Sequence, residues 1–170
     1  MTTNAKDNLL DWLRDAHAME MQAETMLKAQ ASRLEHYPDL QRRIEQHITE
    51  TQGQAQALQS RIEALGSDTS AMKDMGGKAM AAMQGFGGMF ATDEVIKGSM
   101  ASYAFEHFEM SAYLALIEAA RVVGDAETER VCQDILQQEK DMAQWLEQNL
   151  PATTRRFLEL DATPHETAKR

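Results

Sequence analysis

Leu9, Leu13, Ala16, Ala23, Leu27, Ala31 and Leu34 recur at steps of three, four and seven residues along the first part of the chain. A helical residue advances by about 100°, so this spacing lines one face and predicts a first helix from about Lys6 to Leu34. Asn4 or a preceding Thr can cap it, with Asp7 and Asp11 at the positive end of its dipole. Pro38 disfavours helical geometry at Tyr37 but suits a first helical turn, so a second helix starts there. It carries Leu40, Ile44, Ile48, Ala55, Leu58, Ile62 and Leu65 on one face and stops at Gly66. The connection is too short for anything but an antiparallel hairpin.

A third helix is expected from Thr92 or Asp93 to Val123, with Tyr103, Met110, Tyr113, Ile117 and Ala120 as its inner stripe. Gly124-Asp125 ends it. The fourth runs from about Ala126 to Asn149 on Val131, Ile135, Met142, Leu146 and Leu150, with Pro151 as its stop. The two hairpins are separated by residues 66–91, rich in Gly and Met, which predict a long crossover packed on the helices. The sum is an all-α four-helix bundle over residues 1–150, with a tail at 151–170 that adds at most a short helix.

Composition sharpens this picture only in places. Ala, Leu, Met, Gln and Glu dominate, and aromatics make up 6%, a helical bias. A formal charge of −10 disfavours nucleic acid and anionic membranes as partners. No apolar run reaches the length of a membrane span, and no export signal is visible at the N-terminus. The single Cys132 allows no intrachain disulfide and suits a reducing compartment, so a cytoplasmic location is expected.

The chemistry enters through polar residues on the apolar stripes. Glu20 falls between Ala16 and Ala23, and His47 lies on the second helix's stripe with Glu50 and Gln54 beside it. Glu106 sits at the centre of the third stripe with Glu109 on its flank, and Glu139 sits within the fourth. With a rise of about 1.5 Å per residue, these carboxylates, each about 12–17 residues into its helix, fall at one level near mid-bundle. Buried carboxylates need partners, and no Lys or Arg is expected on these stripes. A pair of divalent cations meets the requirement. His47, three residues before Glu50, suits joint ligation or a hydrogen bond alone. Tyr113 is either core or a hydrogen-bond partner of a ligand, and His107 lies off the site or in its outer shell.

The segments Asp15–Glu20, His47–Gln54, Glu106–Tyr113 and Gln138-Glu139-Lys140 resemble those of ferritin-like bundles. More narrowly, the chain is similar, over about residues 6–150, to the bacterial YciE/YciF family of stress-associated proteins. That resemblance implies a rubrerythrin-like fold, a di-iron or di-manganese centre and a homodimer. One departure stands out: ferritin-like proteins usually carry Glu-x-x-His on the second and fourth helices, and here the histidine positions hold Gly53 and Met142. A carboxylate-rich, histidine-poor site favours Fe(II) or Mn(II) over copper. The expected function is therefore a di-metal carboxylate protein with Glu20, Glu50, Glu109 and Glu139 as main ligands and Glu106 and His47 completing the set. Gln54, Tyr113 and His107 are expected around them. Such a centre permits oxidase, peroxidase or catalase-like turnover of peroxide, dioxygen or ferrous iron. The alternative is a metal-free bundle acting through its surface or crossover as a stress-related interaction protein.

Overall fold

A computed structural model describes residues 4–67, 93–163 and 168. It is an all-α four-helix bundle: α1 (Ala5–Ala31), α2 (Pro38–Ala64), α3 (Glu94–Val123) and α4 (Ala126–Asp161). Asn4 caps α1 in a reciprocal box with Asp7: each side chain accepts from the other's backbone N–H. Pro38 occupies the first turn of α2, and Asp125 caps α4 by accepting from the Thr128 N–H at 3.0 Å. Gly66 and Gly124 adopt φ of 81° and 76°, the left-handed geometry that lets a helix close without a Cβ clash.

Side-chain contacts orient the helices. Arg33, just past α1, clamps Glu94 at the start of α3, while Ser102 donates to Gln30 at 2.9 Å and Tyr113 meets Glu20. Position rises along α3 as it falls along α1, so these helices are antiparallel. Arg61 near the end of α2 reaches Asp125 and Thr128 at the start of α4, and Gln54 reaches Gln138, so α2 and α4 are antiparallel too. Every neighbouring pair around the bundle is thus antiparallel. The end of α2 and the start of α3 lie at opposite ends of the bundle. The expected Gly/Met-rich crossover between them falls outside the described residues, apart from Gly66 and Ser67.

Two apolar clusters fill the interior. One gathers Leu9, Leu13, Leu58, Ile62, Leu116 and Cys132 toward the α3–α4 turn. The other gathers Leu27, Tyr37, Leu40, Ile44, Met142 and Leu146 toward the α1–α2 turn. A polar layer separates them. On α3 Glu106, Tyr113, Ile117 and Ala120 are buried as expected, but the inner face is turned toward Phe105, Glu109 and Leu116, and Tyr103 and Met110 are only half-buried. This helix is apolar nearly all round, so periodicity alone does not set its phase.

The fourth helix does not stop at Asn149. It runs through Pro151 to Asp161. Proline removes one backbone donor, and the hydroxyls of Thr153 and Thr154 bond the Asn149 and Leu150 carbonyls beside the break. Burial of Leu160 and partial burial of Phe157 against the second cluster reward the extra turns. Beyond it the Tyr37 hydroxyl donates to the Ala168 carbonyl at 2.6 Å, tying the tail to the α1–α2 turn.

A candidate metal centre in the polar layer

Glu20, His47, Thr51, Gln54, Glu106, Glu109 and Glu139 all face inward at one level, each no more than 2% exposed. Each owes its place to flanking apolar residues on the same helical face. Glu20 lies between Ala16 and Ala23, and Glu139 between Leu136 and Met142. Ligand atoms of His47, Glu106, Glu109 and Glu139 lie within 4.8 Å of one another, a group able to hold a metal ion.

His47 is the hub. Its Nδ1 is 2.8 Å from Glu50 Oε2, and its Nε2 lies 3.3 Å from Glu106 Oε2 and 3.4 Å from Glu139 Oε2. The two longer contacts pair charges without good hydrogen-bond alignment, leaving both oxygens open. Burial opposes a charged imidazole, but Glu106, Glu139 and Glu50 together outweigh it and lift His47 to about 12. Gln54 donates to Glu139 Oε1 at 2.5 Å and to Gln138 Oε1 at 2.9 Å. Tyr113 donates to Glu20 Oε1. Burial holds this phenol well above its ordinary range, with the Glu20 charge adding to the effect, so it remains a donor.

The carboxylates are under strong electrostatic pressure. Burial pushes Glu20 and Glu109 well above the ordinary range, and neighbouring carboxylates add to it. Burial likewise raises Glu106 to about 8, against the pull of His47. Within this layer, four carboxylate oxygens have no hydrogen-bond partner: Glu20 Oε2, Glu106 Oε2, Glu109 Oε1 and Glu139 Oε2. Among the described residues, none of these four glutamates forms an ion pair with Lys or Arg. Unsatisfied buried carboxylate oxygens converging on one place need protons or cations. The donor set, carboxylate oxygen with one imidazole, fits hard to borderline divalent ions such as Fe(II) or Mn(II).

Two expected ligands, Glu20 and Glu50, and one expected neighbour, His107, stand apart from the four-residue group. Glu20 is in the same layer but engaged by Tyr113. Glu50 is half-buried on the flank of α2 and already satisfied by His47, Gln46 at 2.8 Å and Arg43 at 3.2 Å. Burial would raise Glu50, but the His47 bond and the Arg43 charge bring it down to about 2. His107 is exposed and packs edge-on to Tyr103, with ring centroids 4.6 Å apart, away from the layer.

Sequence reading missed Arg43 as a cation near the inner face; its spacing of seven from Glu50, two turns along one side, carried the signal. It also missed Thr51, one turn from His47, which is buried with its hydroxyl unpartnered. Cys132 lies in the apolar cluster, where burial pushes its thiol up to about 12, so it packs rather than reacts.

Fold and site define a class: an all-α four-helix bundle with a buried carboxylate–histidine cluster able to hold a metal ion. Residues 4–159 match the family described as a domain of unknown function, DUF892, and the chain belongs to that family. It is similar to a solved structure from Xanthomonas campestris pv. campestris at 44% identity, covering 94% of this chain and 100% of that one, with a TM-score of 0.79. It is also similar to YcfI from Rhodopseudomonas palustris, described as a candidate structural protein. That match has 26% identity, covers 85% of this chain and 94% of that one, and has a TM-score of 0.69.

Proposed function

We propose that this protein is a ferritin-like, di-metal carboxylate protein of the YciE/YciF type, holding two Fe or Mn ions in the polar layer. The convergence of four unpartnered carboxylate oxygens between two apolar clusters carries this reading. His47, Glu106, Glu109 and Glu139 would hold metal directly, and Glu20 and Glu50 would complete the set from either side. Such metals, when bound, supply redox and Lewis-acid chemistry toward peroxide, dioxygen or ferrous iron. The chain's own residues do the rest. Tyr113 orients Glu20 and Gln54 orients Glu139, while the apolar clusters restrict water to the layer. Met142 at the customary histidine position leaves the fourth helix with oxygen donors alone there, which favours hard ions.

Elemental analysis of protein purified without chelators tests the reading. Bound Fe or Mn is expected, with a higher melting temperature on adding either ion to metal-free protein. A metal-to-protein ratio near zero, with no thermal shift, would sink it and favour the structural role for which YcfI is named.

We also propose that the protein is a homodimer. Met100, Phe108, Leu114 and Val122 are each more than half exposed along the outside of α3, although this helix already buries its inner side.

A further inference from the structure

Alpha-2 and α4 are the most loosely packed neighbouring helices of the bundle. Between them opens a cleft of about 390 Å³, lined by Glu50, Gly53 and Gln54 on one side and Arg130, Asp134 and Gln138 on the other. It lies at the level of the polar layer. Three observations connect it to the buried cluster. Gln54 both lines the cleft and donates to Glu139 Oε1, while its own Oε1 is buried without a partner. Its bond to Gln138 bridges the two helices across the inner end of the cleft. Glu50 lines the same cleft and contacts His47, whose other ring nitrogen faces Glu106 and Glu139.

Gly53 gives the cleft its width. A Cβ built there meets nothing beyond its own stretch of helix within 4 Å, so a side chain would project into open space. Glycine in a helix interior is unfavourable compared with alanine. Here its helical neighbours make no demand for it, since it lies within α2 and its φ is not positive. The space it leaves is the feature that distinguishes it.

We propose that this cleft is the route by which divalent metal ions reach the polar layer, with Glu50 as the carboxylate that leads inward from the exposed Asp134 at its rim and Gln54 as the gate. The inference rests on the metal-holding reading above. A cation entering here exchanges hydration water for Glu50 at the half-buried flank, then passes Gln54 as its bridge to Gln138 opens. The chain's net charge of −10 favours its approach. Arg130 stands at the rim with its charge balanced by Glu127 at 2.6 Å and Asp134 at 3.0 Å, so it presents no unpaired cation to an entering ion.

The test is stopped-flow loading of the metal-free full chain with Co(II), followed by its visible absorbance, with final stoichiometry measured after dialysis. Gly53→Leu should load at least ten-fold more slowly than wild type, yet reach the same stoichiometry. Gln56→Leu, an exposed substitution outside the lining, should load at the wild-type rate. Gln54→Ala should load faster. Equal rates for Gly53→Leu and wild type would overturn the route, and so would a lowered final stoichiometry, since Gly53 would then shape the site itself. A Gln54→Ala rate at or below wild type would overturn the gate. If wild type takes up no Co(II), the metal-holding reading falls, and the route with it.

Discussion

His47 shows how far one residue's role depends on its neighbours. Alone on a helix face it is an ordinary imidazole, but three carboxylates around it hold a proton on the ring. The sign of the pH response follows. Glu106 and His47 both have folded-state values above their ordinary 4.5 and 6.5. Their contributions are therefore fully present below those ordinary values and are lost as pH rises through about 8 and about 12. Metal-free protein should accordingly be less stable to urea at pH 9 than at pH 6. Added Mn(II) should restore stability most at the higher pH, because metal replaces protons on the same oxygens. A metal-free form that gains stability across this interval would contradict the assignment. At the same scale, Glu139→Ala should abolish metal retention, read by elemental analysis after dialysis. Tyr113→Phe should destabilise the metal-free protein by about 1–3 kcal/mol in urea titration, by leaving Glu20 Oε1 without its donor.

Among the helices, α4 is the most instructive. Local chemistry argues for termination at Pro151, and the structure carries the helix on to Asp161. The decisive contribution is tertiary: Leu160 is 2% exposed in the cluster near the α1–α2 turn, while Leu158, two residues earlier, is 59% exposed. Leu160→Ala should thus cost about 2–5 kcal/mol. Leu158→Ala should change stability by about 0.5 kcal/mol or less, as surface substitutions do. Equal effects in denaturant titrations would show that the extension is not anchored. Helix α3 makes the complementary point, since a helix apolar on several sides offers more than one inward phase. Packing against α1 and α4 settles the phase, taking Glu109 from the flank of the expected stripe into the interior beside Glu106.

Across the whole molecule, the polar layer divides a core that would otherwise be continuous. A bundle loses hydrophobic stabilisation by placing glutamates there, and a bound cation would supply the partner they lack. The outside of α3 raises a separate question of assembly. If two copies meet on that face, Phe108→Glu should convert a dimer to a monomer by light scattering on a sizing column, with metal content unchanged. A wild-type monomer, or a variant that stays dimeric, would remove α3 from the interface. No helix among the described residues is long and apolar enough to cross a membrane.

The amino-acid sequence alone carried the four helices as far as Pro151, the cap at Asn4, and the level at which Glu20, Glu106, Glu109 and Glu139 meet. Periodicity, cap chemistry and a constant rise per residue are local properties, so spacing alone carries them. Which atoms converge was settled by tertiary packing. It drew His47 in as the hub, set Glu50 on the flank against Arg43, left His107 outside against Tyr103, and brought in Thr51. Those outcomes depend on helix rotation and on charges contributed by other helices, and neither is written in the spacing of any one helix.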